Sequence, residues 1–144
     1  MGATPFRRVA EGFFVAPQLM ASDFPAARAA GIRTIINNRP DGEAADQLSD
    51  AQARELAEAN GLAYAFVPVV SGGMGPDDVA AFQAAVSANP GPHLAYCRSG
   101  TRSCHIWAFA SAEDRPVEQT MAAAAGAGYD LSGVRPILEH LARG

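Results

Sequence analysis

Short apolar runs alternate along this chain with capped, alanine-rich segments of helical character, and that alternation restricts the possible folds more than any other feature. Residues 13–19 (FFVAPQL), 32–38 (IRTIINN), 63–70 (AYAFVPVV) and 92–97 (PHLAYC) have the length and side chains of buried strands. Helical segments separate them. In 22–31, Ser22 or Asp23 serves as N-cap, Pro25 lies in the first turn and Gly31 ends the segment. Residues 49–61 start at Ser49 or Asp50 and stop at Gly61, and 77–89 follow Pro76 with Asp77 and Asp78 in the first turn. An amphipathic helix is expected at 102–113, and two more at 116–125 and 133–143. Strand–helix alternation predicts right-handed βαβ units, hence an α/β fold with a central, mostly parallel sheet of four to five strands flanked by helices. No linker or repeat divides the sequence, so residues 1–144 are read as a single domain.

In such a sheet, ligands bind beyond the carboxyl ends of the strands. Three loops leave those ends, at 39–48, 71–76 and 97–102. They carry Arg39, Asp41 and Glu43, then Gly72 and Gly73, then Cys97 and Arg102, toward one rim. Arg39, Asp41 and Glu43 suit a site rim, or a turn with local ion pairing.

The last of these loops carries the chemistry. In YCRSGTRS, residues 96–103, a cysteine stands where a strand stops and a helix begins. Successive backbone N–H groups there can curl into an anion-binding nest, reinforced by the positive end of the helix dipole, and such surroundings favour a thiolate. Gly100 permits a backbone conformation closed to other residues. Arg98 and Arg102 add guanidinium forks that match tetrahedral oxyanions. Cys97 is therefore the expected nucleophile and Arg102 the expected clamp, with Arg98, Ser99, Gly100, Thr101 and Ser103 completing the anion-binding loop. The plainer reading is a buried cysteine before an ordinary helix start.

Composition excludes several partners. A net charge of −4 leaves no electrostatic footprint for nucleic acid or an anionic membrane surface. No run approaches the roughly 20 apolar residues of a membrane span, and the first residues lack a signal-peptide pattern. Two cysteines, Cys97 and Cys104, are too few for a disulfide framework and suit a reducing cytoplasm. His93, Cys97, Cys104 and His105 lack paired metal-ligand spacing, so neither metal nor cofactor is expected. Cys104 reads as core packing rather than a resolving thiol. His93 and His140 are expected to face solvent. Trp107 and Phe109 cannot share one helix face, so one packs inward and the other meets a neighbouring element. Tyr129 is expected to anchor a helix-to-helix turn, with Asp130 or Ser132 as the next cap.

The loop CRSGTRS resembles the active-site loop of rhodanese sulfurtransferases. The whole chain more closely resembles the phosphatase-like domain of the bacterial β-lactamase-like hydrolase proteins. The resemblance rests on INNRPDGE (36–43), GLAYAFVPV (61–69), GPHLAYCRSGTRS (91–103) and AGYDLSGVRPIL (127–138). It implies the fold of dual-specificity phosphatases, and an activity described both as phosphatase-like and as sulfur transfer. A persulfide dioxygenase of metallo-β-lactamase type often accompanies such a domain. No His-x-His-x-Asp-His segment occurs here, so that partner is expected on a separate chain.

Three local features weigh the two activities. The phosphatase signature places five residues between cysteine and arginine, whereas four separate Cys97 from Arg102 and Ser103 holds the five-residue position. Tyr96 stands where such phosphatases usually carry histidine. The loop SGGMG lacks the aspartate that protonates an ester's leaving oxygen. The sequence reading therefore favours a sulfurtransferase. Its donor is a small anion, thiosulfate or a persulfide, its intermediate a Cys97 persulfide and its acceptor a thiol. A phosphatase-like hydrolase with a Cys97 phosphocysteine is the alternative, and a non-catalytic anion binder or persulfide carrier the third reading.

Overall fold

The computed structural model describes residues 5–143. A hairpin of β1 (Arg7–Ala10) and β2 (Phe13–Ala16) leads into α1 (Asp23–Ala29), β3 (Thr34–Asn37), α2 (Asp50–Ala59) and β4 (Ala63–Phe66). Then come α3 (Pro76–Ala88), β5 (His93–Tyr96), α4 (Thr101–Ala110), α5 (Val117–Gly126), a 3-10 turn at Ser132–Val134, and α6 (Arg135–Ala142). The five strands lie in the order β1-β2-β5-β3-β4. β5 pairs in parallel with β2 on one side, Ala16 opposite Tyr96, and with β3 on the other, Asn37 opposite Tyr96. β3 also pairs in parallel with β4, whereas β1 runs antiparallel to β2. The sheet is thus mixed, and its central strand is the one that delivers Cys97.

Local chemistry explains most of these boundaries. Ser49 and Gln52 form a reciprocal capping box at α2, with the Gln52 amide donating to Ser49 Oγ at 3.1 Å. Asp78 accepts from the Gly75 amide at 2.9 Å to start α3, which has Pro76 in its first turn. At α1 the expected Ser22 cap does not form. Asp23 Oδ2 accepts instead from the Met20 amide at 2.7 Å.

All the expected strands are four residues long, and two of them stop beside a proline. Pro17 follows β2, and Pro68 breaks the run after β4. Pairing nevertheless continues past β4, where the Val67 and Val69 amides donate to the carbonyls of Asn37 and Asn38, both at 2.9 Å.

Period-two alternation divides the core between the two faces of the sheet. Leu94 and Tyr96 pack with Phe24, Ile32 and Ile35 on the side of α1 and α2. Ala95 and Ile36 face Phe82, Ile106 and Trp107 on the side of α3 and α4.

Three expectations need correction. The sequence reading begins the sheet at 13–19 and passes over β1, an edge strand whose Arg7 and Arg8 are exposed. α4 is a central helix rather than an amphipathic one: Ser103, Cys104, Ile106, Trp107, Ala108 and Phe109 are all buried. His93 is buried too, at 8% exposure, because it opens the central strand; its Nε2 lies 2.9 Å from the Asn89 carbonyl. His140 is exposed, as expected.

Candidate active site

The loop after β5 closes on its own cysteine. Gly100 takes φ +93°, a conformation that favours glycine, and its amide donates to Cys97 Sγ at 3.1 Å. The Cys97 side chain is fully buried. Ser99 Oγ donates to Thr101 Oγ1 at 3.0 Å, and the Gln18 amide donates to the Arg98 carbonyl at 3.2 Å. Tyr129 supports the loop from outside, its hydroxyl donating to the Ser99 carbonyl at 3.1 Å. α4 starts directly at Thr101, whose amide donates to Ser99 Oγ at 3.4 Å, while Gly100 at the N-cap offers no side chain.

Arg102 stands one helical step beyond this loop. Its guanidinium donates to both oxygens of Glu43, at 2.8 and 2.7 Å, and to the Val69 carbonyl at 2.9 Å. Glu43 also accepts from Arg39 Nε at 3.0 Å, and Arg39 Nη1 reaches Gln18 Oε1 at 2.9 Å. The Glu43 carboxylate thus ties the loop after β3 to α4, and Arg102 extends the tie to the segment following β4. The hydrogen bonds from Arg102, opposed by partial burial and reinforced by those from Arg39, hold the Glu43 carboxyl down at about 2. It is therefore an anion at neutral pH and has no proton to give. The same pairing raises the pKa of Arg102, against a desolvation penalty.

A cleft of about 550 Å³ opens beside the loop. Arg98, Ser99, Thr101, Arg102 and Glu43 form its polar wall; Gly72 lines it as well, but Gly73 does not. Gly73 closes a turn instead, its amide donating to the Val70 carbonyl at 2.9 Å. Asp41 does not join the site. Its Oδ1 accepts from the Asp50 amide at 2.7 Å, at the start of α2. Ser103 points away from the loop's concavity into the core, where its hydroxyl donates to Asn38 Oδ1 at 2.8 Å.

Some contributors were not legible from the sequence. Asn38 gathers three elements, since its Nδ2 donates to the Val67 carbonyl at 2.9 Å and its amide to the Tyr96 carbonyl at 2.8 Å. The tandem asparagines Asn37 and Asn38 at a strand end were the available signal. His105 lines the cleft one turn along α4 from Thr101, and burial lowers its pKa. Cys104 is fully buried, and burial pushes its thiol up to about 12, as suits a packing residue. Among the described residues, no group of three or more His, Cys, Asp or Glu side chains is placed to hold a metal ion. No helix among them is long and apolar enough to cross a membrane.

With this geometry in place, known proteins can be set beside it. Residues 5–114 match the family of the phosphatase-like domain of Beta-lactamase hydrolase-like protein. The chain belongs to that family.

A Beta-lactamase hydrolase-like protein of Agrobacterium fabrum is 35% identical over 113 residues, covering 78% of this chain and 26% of the relative. The chain therefore spans about a quarter of the length of the curated relatives it matches. A candidate phosphatase from Neisseria meningitidis superposes with a TM-score of 0.86 at 32% identity, covering 96% of this chain and 99% of that one. TpbA of Pseudomonas aeruginosa, solved as a cysteine-to-serine variant with phosphotyrosine, gives 0.69 at 12% identity, covering 97% and 89%. That last likeness shows the fold alone, an α/β fold shared with dual-specificity and tyrosine phosphatases. Of the two activities weighed from the sequence, these likenesses favour the phosphatase reading over sulfur transfer.

Proposed function

We propose that this phosphatase-like domain is a cysteine-dependent phosphoric ester hydrolase. The observation that carries the reading is the Gly100 amide seated on Cys97 Sγ at the end of the central strand, with Arg102 held at the adjacent cleft. The Cys97 thiolate attacks phosphorus and the P–O bond to the leaving group breaks, giving an S-phosphorylated cysteine. Water then attacks phosphorus, the S–P bond breaks, and inorganic phosphate and a proton leave with the thiolate restored. Amides of the loop and Arg102 stabilise the phosphoryl oxygens. Cys97 has no exposed surface, so the 98–101 loop must shift to admit the ester. Glu43 is held as an anion and does not protonate a departing oxygen, so esters whose leaving group is stable as an anion, such as aryl phosphates, are the ones that turn over without that acid.

A second reading rests on a specific observation. Four residues, not five, separate Cys97 from Arg102, and the one carboxylate lining the cleft is fully ionised. Both suit a reaction that needs no acid. Cys97 thiolate attacks the outer sulfur of thiosulfate, sulfite leaves with the electron pair of the S–S bond, and a thiolate acceptor then takes that sulfur from the Cys97 persulfide. A persulfide donor and a separate dioxygenase partner belong with this reading. A reducing compartment such as the cytoplasm suits either, since the nucleophile has to remain a free thiol.

Parallel assays separate the readings. Phosphate release from p-nitrophenyl phosphate, lost in Cys97→Ser, with a phosphoryl group trapped on Cys97 by intact mass, supports the first. Sulfur transfer from thiosulfate to cyanide without phosphate release replaces it by the second. Neither activity leaves the domain an anion binder.

A further inference from the structure

The cleft beside the cysteine loop does not end at its charged wall. Besides Arg98, Arg102 and the rest of that wall, it is lined by the apolar Val70, Met74, Phe109, Val134 and Ile137, with Ser71 and His105 as its further polar side chains. Val70 is 64% exposed and Ile137 50% exposed, which makes them two of the three large apolar side chains left open to solvent among the described residues. Three of the cleft residues, Met74, Phe109 and Ile137, also line a second groove of about 240 Å³. That groove runs on between α3 and α6 over Phe109, walled by Pro76, Val79, Ala80 and Leu141. Gln83 is its one polar side chain. Single exposed apolar residues need no explanation, but a continuous apolar channel that starts at an anion site does.

We infer that the substrate is amphiphilic: its anionic group is held at Arg98 and Arg102 beside the cysteine loop, and a hydrocarbon body lies along the groove between α3 and α6. This rests on the reading of the cysteine loop as a reactive anion site and names the substrate class that reading leaves open. A small inorganic anion would use the polar wall alone and leave the shared apolar residues without a role. A polar ester such as a sugar phosphate would lay hydroxyls against Phe109 and Leu141, where no side chain other than Gln83 can pair with them. An alkyl or aryl chain meets no such penalty, and each methylene it buries is worth about fourfold in affinity.

The test measures binding, so it does not depend on turnover. Calorimetric titration of the Cys97→Ser protein with inorganic phosphate, methyl phosphate and octyl phosphate is expected to show octyl phosphate binding at least about tenfold more tightly than methyl phosphate. Inorganic phosphate should displace it. In Ala80→Glu, an exposed position on α3 that places a carboxylate in the groove, the ratio of octyl to methyl phosphate affinity should collapse toward one. Equal affinity for the two esters, no binding of octyl phosphate, or an octyl preference that survives Ala80→Glu would each overturn the inference. Failure of the underlying functional reading is seen separately, as absence of both phosphate release and sulfur transfer in the wild-type protein.

Discussion

Arg102 and Glu43 form a two-point ion pair across the rim of the sheet, Nη1 to Oε2 at 2.8 Å and Nη2 to Oε1 at 2.7 Å. They come from elements 59 residues apart in sequence, and the Val69 carbonyl fixes the guanidinium from a third. A two-point pair fixes the plane of the guanidinium as well as its position, which a single contact does not. On the proposed function, Glu43 is a positioning residue for Arg102. Glu43→Gln keeps the size of the side chain but removes its charge and one acceptor. It is expected to lower kcat/KM on an aryl phosphate by about tenfold, chiefly through KM, because the anion meets a less ordered Arg102. An unchanged KM would show that Arg102 needs no such partner.

The same pair has a pH signature. Glu43 is held down at about 2 in the fold, against an ordinary value of 4.5. A depressed carboxyl contributes stability that is fully present above its unfolded value and is lost as pH falls through the folded one. The difference in urea midpoint between wild type and Glu43→Gln should therefore be constant from neutral pH down to about 4.5, then shrink toward pH 2. A difference that instead disappears between pH 7 and 5 would assign the effect to another group.

Most of the scaffold and the geometry of the cysteine loop could be read from sequence because the signals there are local. Strand runs, the Ser49 cap and the Cys97–Gly100–Arg102 spacing each lie within a few residues. What escaped depends on pairs far apart in sequence. β1 carries too few apolar residues to register as a strand and owes its place to pairing with β2. Asp41 and Glu43 sit two residues apart and look equivalent, yet one caps α2 and the other meets Arg102, a choice made by the path of the loop. Ser103 belongs to the motif in sequence, but the helical turn at α4 rotates it into the core toward Asn38. The apolar groove is equally nonlocal, since α3, α4 and α6 each supply part of it.

Gly100 is constrained twice. Its φ of +93° costs an alanine about 1–2 kcal/mol, and a Cβ at that position would fall onto the hydroxyl of Tyr129. Gly31 has nearly the same φ, +91°, with nothing near its own Cβ position. Gly31→Ala should therefore lose stability by the backbone cost alone. Gly100→Ala should lose more than tenfold in kcat in addition, because Tyr129 is displaced and the amide on Cys97 Sγ moves. Equal activities of the two variants would refute the assignment of that amide to catalysis.

Tyr129 tethers the loop through one hydrogen bond to the Ser99 carbonyl. Such a bond contributes about 0.5–1.5 kcal/mol, which corresponds to a twofold to twelvefold change in the population of a locally opened loop. Cys97 is fully buried, so its reaction with iodoacetamide reports that opening. Tyr129→Phe is expected to speed alkylation of Cys97 by that factor and leave Cys104, buried in the core, unmodified. A rate equal to wild type would show that the tether does not control access.

Two tyrosines flanking β3, half-buried Tyr64 and fully buried Tyr96, should respond oppositely to loss of their hydroxyls. Tyr64 accepts from Asn37 Nδ2 at 3.1 Å and donates to Asp50 Oδ1 at 2.8 Å, joining β3, β4 and α2. Tyr96, beside Cys97 on β5, is fully buried, and its hydroxyl has no partner among the described residues. Burial raises the pKa of both, so both are neutral phenols at neutral pH. Removing one side of a satisfied network costs about 1–3 kcal/mol, whereas removing an unpaired buried hydroxyl relieves a desolvation penalty. Tyr64→Phe should lower the free energy of unfolding by about 1–2 kcal/mol in urea titration. Tyr96→Phe should leave it unchanged or raise it by up to about 1 kcal/mol, with activity retained. Loss of activity in Tyr96→Phe at full stability would instead mean that this hydroxyl turns toward the cysteine during the reaction.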